Sequence, residues 1–302
     1  MRIFVAGATG AIGRPLIAEL IRQGHTVTGM TRSAAGAQSL THLGAAVVEV
    51  SAFDQAAVEQ ALRASEAEIV IDELTSLPKD PAQMATSAAG DRKLRIEGGG
   101  NLYRAAEKIG VRRYLQQASG FFLKASNGLA DETDGLATDA SPGVAASARA
   151  YAELEARVLN SKAMEGVALR YGFFYGPNTW YNPDGAVADQ VRRQGAPVIG
   201  DGQGVWSWIH IDDAAQATVA AITAPPGIYN IVDDDPSPVS RWLPEFAQWV
   251  GAPPPPHLAE EEALRIAGED AVYYANRLSG ASNAKAKKTF NFKPRRLEWL
   301  LA

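Results

Sequence analysis

Three glycines spaced three residues apart, Gly7, Gly10 and Gly13, lie between a short apolar run and an amphipathic stretch near the start of the chain. The apolar run, Arg2–Ala6, predicts a buried strand, and residues 11–23 carry apolar side chains at helical spacing. Glycines here permit a sharp turn, a close approach of the backbone to a ligand, and tight packing of helix on strand. The alternative is a strand-to-helix turn that binds nothing. We expect the turn to hold the pyrophosphate of a dinucleotide at the helix N-terminus.

Strand-like and helix-like stretches alternate along most of the chain. The predicted strands are residues 26–30, 45–50, 68–71, 112–117, 167–171 and 228–232, and the predicted helices are residues 54–64, 91–109, 148–164 and 238–250. Such alternation places helices on both faces of a parallel sheet. The sequence therefore predicts an α/β fold, a Rossmann doubly wound parallel sheet with a smaller, partly discontinuous C-terminal substrate domain.

The two predicted domains exchange segments along the chain. The nucleotide-binding domain is expected to comprise residues 1–171 and 205–232, and the substrate-binding domain residues 172–204 and 233–302. Residues 121–150 are rich in small and polar side chains and show no apolar periodicity, which predicts a loop or lid.

Composition narrows the classes of function. The 302 residues are 46% hydrophobic and 21% charged, typical of a soluble globular protein, and the net charge of −5 gives no reason to expect nucleic acid or an anionic membrane as a partner. The chain has no cysteine, which excludes disulfides, thiolate zinc sites and cysteine nucleophiles. The first apolar run is too short for a signal peptide or a membrane span, so we expect a cytoplasmic protein that acts on a small molecule.

The end of the second predicted strand bears on the choice of cofactor. An NAD-binding protein would place a carboxylate there for the ribose hydroxyls, but the residues are Thr31, Arg32 and Ser33. An arginine beside two hydroxyls suits a 2′-phosphate. The sequence therefore favours NADP over NAD, the alternative being that Arg32 is a solvated surface charge.

With this turn in view, the chain resembles the extended short-chain dehydrogenase/reductase superfamily, of the NAD-dependent epimerase/dehydratase type. The resemblance rests on GATGAIG at 7–13, Asp54 after the third strand, QASG at 117–120, LRYGFFYGP at 169–177, WIHIDDAA at 208–215 and YNI at 229–231. It implies that Asp54 contacts the adenine amino group and that Ser119 faces the substrate. The expected cofactor-binding residues are Gly7, Thr9, Gly10, Ala11, Ile12, Gly13, Arg32, Ser33, Asp54, Leu74, Thr75 and Tyr171.

The superfamily's catalytic pair is a tyrosine followed four residues later by a lysine that lowers the tyrosine's pKa and holds the nicotinamide ribose. In one register Tyr151 is the tyrosine, and Glu155 stands at the lysine position. In the other, which the spacing of Glu155 and Arg170 favours slightly, Tyr151 takes the lysine position and Ser147 the tyrosine position. Either register implies an atypical catalytic site.

The candidate catalytic residues are Ser119, Tyr175, Tyr171 and Tyr151. Ser119 ends a strand at the carboxyl edge, where open α/β sheets bind ligands, although a serine there can simply turn the chain. By the resemblance, Tyr171 and Tyr175 flank a loop beside the nicotinamide, and either could supply a proton or pack as an ordinary aromatic residue.

Two other groups of residues invite a functional interpretation. His210, Asp212 and Asp213 suggest a metal or acid–base site, but a helix start with Asp213 as its cap explains them better, and we predict no metal. Aromatic residues in the substrate segments predict either a pocket for a ring-shaped substrate or domain packing. They are Trp180, Tyr181, Trp206, Trp208, Tyr273 and Tyr274.

Two functional hypotheses follow. The first is an NADP(H)-dependent oxidoreductase or epimerase-like enzyme that acts on a carbonyl or secondary alcohol of a small metabolite. The second is a non-catalytic NADP-binding redox sensor or regulatory protein, which loss of the Tyr/Lys pair favours. By the resemblance, a homodimer would form through helices 91–109 and 148–164, and a nucleotide sugar is a substrate suggested by analogy alone.

Overall fold

The computed structural model describes residues 1–300. Its strands are β1 (Arg2–Ala6), β2 (Thr26–Thr31), β3 (Ala46–Glu49), β4 (Ile69–Asp72), β5 (Arg113–Ser119), β6 (Glu165–Tyr171), β7 (Phe173–Tyr175), β8 (Val198–Ile199), β9 (Val205–Trp206), β10 (Trp208–His210), β11 (Gly227–Ile231), β12 (Ser237–Pro238) and β13 (His257–Leu258). Its helices are α1 (Gly13–Arg22), α2 (Ala34–His42), α3 (Gln55–Ala64), α4 (Met84–Lys93), α5 (Gly99–Ile109), α6 (Pro142–Leu159), α7 (Ala186–Arg192), α8 (Ile211–Ala221), α9 (Val239–Trp249), α10 (Glu260–Asn276) and α11 (Ala284–Phe290).

Seven strands form one parallel sheet in the order β11-β6-β5-β4-β1-β2-β3. The chain runs outward from β1 through β2 to β3 and then returns to β4 on the other side of β1. The carboxyl ends of β1 and β4 therefore flank the point where the strand order reverses, which is where open α/β sheets bind ligands. The predicted doubly wound parallel sheet is confirmed.

The two faces of the sheet are covered by separate apolar clusters. On one face, Leu16 and Leu20 of α1 pack with the alanines of α8. On the other, Leu62 of α3 and Leu102 of α5 pack over β4 and β5. Strands buried on both faces need near-continuous apolar runs, which explains why β4 reads Ile-Val-Ile before its terminal Asp72.

Two sequence predictions need correction. The helix expected at 91–109 begins earlier, at Met84, and a π-helical turn at Leu94–Gly98 separates α4 from α5. Glycines at the start of α5 allow close packing, since a Cβ on Gly99 would lie 2.8 Å from the Asp72 carboxylate. The loop expected at 121–150 is shorter, since α6 begins at Pro142. Proline fits the first position of a helix, where no intrahelical partner for its missing N–H is needed.

The later segments pack around an aromatic cluster beside the sheet. Short two-stranded pairings join β7 to β10, β9 to β12 and β8 to β13. The cluster is built from Tyr175, Trp208, Trp242, Phe246 and Trp299, all buried. Among residues 1–300, no helix has the length and apolarity needed to cross a membrane.

Candidate active site

The glycine turn joins β1 to α1 at the point where the strand order reverses. Gly7 has a φ of +76°, and a Cβ added there would overlap the carbonyl group of Glu73 after β4. A Cβ on Gly13 would overlap the backbone of Gly7 and Ala8. Only glycine lets the turn, the helix and β4 approach this closely.

A cavity of about 130 Å³ lies over this turn. Of the predicted cofactor-binding residues, six line it: Gly7, Thr9, Gly10, Arg32, Leu74 and Thr75. Within the described part of the chain no side chain caps the N-terminus of α1, so its first backbone N–H groups can receive a phosphate. The residues present therefore fit a dinucleotide.

The other predicted cofactor residues lie elsewhere. Ser33 caps α2 by accepting a hydrogen bond from the Gly36 N–H, and Asp54 caps α3 in the same way through the Ala57 N–H. Neither residue lines the cavity, and the buried Ile12 does not line it either. The structure thus gives Asp54 a capping role, and its expected contact with adenine stays a prediction.

A buried hydrogen-bonded network joins Glu73, which follows β4, to Tyr171 at the end of β6 and Thr218 of α8. The Tyr171 hydroxyl donates to Oε1 of Glu73 over 2.9 Å and lies 2.6 Å from Oγ1 of Thr218. Burial raises the pKa of Glu73 to about 8, with the nearby Asp72 adding to the effect. Burial also raises the pKa of Tyr171 well above its usual value. At neutral pH both groups therefore hold their protons.

A larger cavity of about 400 Å³ adjoins the network, because Tyr171 lines it while Glu73 lines the smaller one. Ala11 of the glycine turn and Ser119 at the end of β5 also lie on its wall. Its aromatic lining comprises Phe121, Phe122, Tyr151, Tyr171, Phe173, Phe174, Trp180, Tyr181, Trp206 and Tyr274. The two cavities can thus place a planar ligand beside a dinucleotide.

Stacked rings form one wall of the larger cavity. The ring of Phe173 lies between those of Phe121 and Trp206, with centroid distances of 4.2 and 3.9 Å. Of the aromatic residues that the sequence singled out, Trp208 and Tyr273 do not line the cavity. Phe121 and Phe122, which directly follow Ser119-Gly120, were not predicted to line it, although their position after a strand's carboxyl end is a usable signal.

One face of α6 carries the remaining residues that were considered for catalysis. Ser147 and Tyr151 line the cavity, while Glu155, one turn further, pairs with Arg170 on β6. This is the arrangement that the second register expects, and α6 carries no lysine. Burial raises the pKa of Tyr151, an effect that the neighbouring Arg95 opposes.

Arg95 is a buried cation that the sequence analysis did not find. It stands on the π-helical turn, lines the cavity, and its Cζ lies 5.2 Å from the centroid of the Tyr151 ring. Its Nε donates to Asp91 over 2.7 Å and its Nη1 to Gln117 over 3.1 Å. Short π-helical turns are frequent at functional sites.

Tyr175 does not reach the cavity. Its ring packs edge-on against His210 and Trp299, and its hydroxyl contacts the carbonyl of Arg296 at 3.5 Å. Because β7 pairs with β10, this side chain is drawn into the aromatic cluster beside the sheet. We therefore leave it out of the candidate site.

The helix start at β10–α8 differs in detail from its expectation. His210, not Asp213, is the cap, since its Nδ1 accepts from the Asp212 N–H. Asp213 instead pairs with the side chain and backbone of Arg295. Among residues 1–300 no group of three or more histidine or acidic side chains is arranged to hold a metal ion.

The parallel sheet and the glycine turn at its switch point define the class of α/β proteins with a Rossmann-like fold. Comparison with known proteins agrees, because the model of the NAD dependent epimerase/dehydratase family matches residues 3–232. The chain belongs to this family of NAD(P)-dependent, oxidoreductase-type enzymes. The predicted family membership is confirmed, and the enzyme hypothesis is favoured over the sensor.

Relatives extend this result over nearly the whole chain. A 3-diazoavenalumate denitrifying reductase from a Streptomyces species is 39% identical over 99% of this chain and 98% of its own. A UDP-glucose 4-epimerase from Thermotoga maritima shares the fold with a TM-score of 0.76, 22% identity, and coverage of 99% and 95%. A dTDP-glucose 4,6-dehydratase from Streptomyces venezuelae, solved with NAD, has the same TM-score at 16% identity, with coverage of 99% and 93%.

Proposed function

We propose that this chain is an NADP(H)-dependent reductase of a planar, largely apolar small molecule. The observation that carries the proposal is the 400 Å³ aromatic cavity, which reaches the glycine turn at Ala11 and the strand end at Ser119. When bound, NADPH supplies a hydride from C4 of its nicotinamide ring. The stacked rings would hold the substrate flat, and Ser119 would position its reacting group.

The preference for NADP rests on Arg32. Its side chain is exposed at the rim of the smaller cavity, at the end of β2, and no carboxylate follows this strand as an NAD ribose would require. A 2′-phosphate there would gain a charge-assisted hydrogen bond from the guanidinium.

Two reacting groups fit the polar residues of the cavity. With a carbonyl compound, the hydride adds to carbon, and Ser119, Tyr151 or an ordered water supplies the proton to oxygen. With a diazo group in its diazonium form, hydride forms a C–H bond as the C–N bond breaks, and dinitrogen leaves with that electron pair. The second reaction consumes no proton, which suits a helix α6 without lysine, and the name of the Streptomyces relative favours it.

Binding and turnover test the proposal together. NADPH and NADH are titrated by fluorescence into the wild type, Arg32→Ala and the control Arg22→Ala, whose exposed arginine lies at the far end of α1. We expect Arg32→Ala alone to weaken NADPH binding about tenfold to a hundredfold, the usual effect of losing a charged hydrogen bond. An equal loss of affinity for NADH in Arg32→Ala would contradict the preference for NADP.

The NADPH complex is then assayed with aromatic aldehydes, aromatic ketones, an aromatic diazonium salt and UDP-glucose. Turnover of an aromatic compound supports the reductase. Turnover of UDP-glucose alone would replace it with a nucleotide-sugar enzyme, and binding of NADPH with no turnover of any compound would favour the sensor.

We propose further that the protein forms a homodimer through α5 and α6. A groove of about 600 Å³ between these helices is lined by charges of both signs, including Arg104, Arg157 and Glu153. In a two-fold contact, arginines of one copy can meet carboxylates of the other. Light scattering at low and high salt tests this, and a monomer at both would contradict it.

A further inference from the structure

We infer that Arg95 is a substrate-binding residue, and that it selects a planar aromatic anion over its neutral counterpart. The inference rests on the proposed function, since it concerns the substrate of the same cavity. It adds a substrate class and a specificity residue that family membership does not give.

The guanidinium of Arg95 is fixed in place but not fully paired. The side chain is only 5% exposed, and Asp91 and Gln117 occupy its Nε and Nη1. Among residues 1–300 no group accepts a hydrogen bond from its Nη2. A buried cation with an unused donor beside an open cavity is ready to receive an acceptor from a ligand.

The supporting contacts keep the guanidinium rigid. Asp91 holds Arg95 through Oδ2 while its Oδ1 accepts from the Ser76 N–H over 2.6 Å, so this carboxylate is itself anchored. The ring of Tyr151 covers the guanidinium from the side of α6. Because these contacts already hold the Arg95 guanidinium in one orientation, little conformational entropy is lost when an anion binds.

The charge of the cavity favours an anion. Among residues 1–300, its charged lining residues are Asp91, Arg92 and Arg95, two cations against one anion, which leaves one net positive charge. The rest of the described lining is aromatic, apolar or neutral polar. An anion bound here would be largely shielded from water, where a charged hydrogen bond is strongest.

Strand geometry sets the length of the ligand. Gln117, which contacts Arg95, and Ser119 lie two residues apart on β5 and both line the cavity. Two residues of a strand span about 7 Å. A benzene ring with substituents at opposite ends covers this distance, so one end can meet the guanidinium while the other lies near Ser119 and the glycine turn.

The test measures binding with the intrinsic tryptophan fluorescence of the cavity, to which Trp180 and Trp206 contribute. The probes are benzoate, cinnamate and 4-hydroxycinnamate, each compared with its primary amide in the presence of NADP⁺. In the wild type we expect the acids to bind about tenfold or more tightly than the amides. Arg95→Met should abolish this preference, and Arg95→Lys should retain part of it.

The matched control is Arg149→Met, which removes an exposed cation of α6 that does not line the cavity and should leave the preference for acids intact. Binding of NADPH to every variant shows that each one folds. Amides binding as tightly as acids, acid preference surviving in Arg95→Met, or acid preference lost in Arg149→Met alone would each overturn the inference. So would failure of every acid to bind at millimolar concentration. Reduction of neutral aromatic carbonyls in any of these cases would leave the proposed reductase standing.

Discussion

Glu155 and Arg170 form a two-pronged ion pair inside the protein, with Oε1 to Nε at 2.7 Å and Oε2 to Nη2 at 2.8 Å. Their side chains are only 7% and 4% exposed. The pair joins the buried face of α6 to β6, which β5 and β4 separate from the strand that carries the glycine turn. Because residues four apart share a helix face, this pair also fixes which residues of α6 face the cavity, namely Ser147 and Tyr151.

Breaking this pair should strongly destabilise the fold. Arg170→Met leaves the Glu155 carboxylate buried without its partner, and we expect urea-induced unfolding to show a loss of about 3–5 kcal/mol. The double variant Glu155→Leu with Arg170→Met should recover much of that loss, because no buried charge remains. The control Asp139→Asn, which breaks the exposed Lys124–Asp139 pair, should change little. A small effect of Arg170→Met would mean that water reaches Glu155.

Glu73 should make the stability of the protein fall as pH rises. The pKa of its carboxyl is about 8 in the folded protein and near 4.5 in the unfolded chain, so between these values the folded state holds a proton that the unfolded state has lost. Stability due to this group is therefore complete below pH 4.5 and is lost as pH rises through about 8. The slope reaches up to about 1.4 kcal/mol per pH unit.

The comparison is with Glu73→Gln, which keeps the shape of the side chain but cannot ionise. Unfolding curves for both proteins across this pH range isolate Glu73 from the other buried acids, since these are common to the two. The difference in the free energy of unfolding between wild type and variant should become smaller as pH falls, because the Glu73 carboxyl is then protonated in both the folded and the unfolded state. A difference that is independent of pH would contradict the assignment.

Tyr171→Phe should shift the same transition. The hydrogen bond from the Tyr171 hydroxyl stabilises the ionised form of Glu73 and so holds its pKa down. Without that donor the pKa of Glu73 should rise further, and the pH at which stability is lost should move upward. A downward shift would show that Tyr171 acts on Glu73 mainly by excluding water.

The sheet could be predicted from sequence because its signals are local. Each strand is a short apolar run, and the first glycine turn carries its own steric requirements at Gly7 and Gly13. The start of α6 at Pro142 was not predicted, because the small residues that follow this proline form no apolar stripe. Periodicity therefore identified the buried elements better than their ends.

The cavity was predictable only in part because it is assembled from distant segments. Ser119 follows from its place at a strand end, but Arg95 stands on a π-helical turn and meets Gln117 of β5 and Tyr151 of α6, which are distant in the sequence. Tyr175 was wrongly predicted to face the ligand, because its pairing with His210 across β7 and β10 cannot be inferred from neighbouring residues. Such long-range pairings decide which side chains meet a ligand.

Ser119 and Tyr175 should differ sharply in kinetics. With an aromatic carbonyl substrate, Ser119→Ala removes the hydroxyl that positions the reacting oxygen, and kcat/KM should fall about a hundredfold. Tyr175→Phe serves as the control, because its hydroxyl lies outside the cavity, and it should leave kcat/KM unchanged. Steady-state assays at saturating NADPH measure both. The reverse order of effects would restore Tyr175 as the proton donor.

Phe173 should control the affinity for substrate without touching that for the cofactor. Its ring is stacked between Phe121 and Trp206, so Phe173→Ala removes the central ring of the aromatic wall, and KM for an aromatic substrate should rise about two- to tenfold. The control Phe290→Ala removes a ring that packs on Tyr229 and does not line the cavity, and it should lower stability without changing KM. Because Phe173 does not line the smaller cavity, the dissociation constant of NADPH should stay the same in both variants. An equal loss of NADPH affinity would mean that Phe173 supports the fold of the whole site and not the substrate alone.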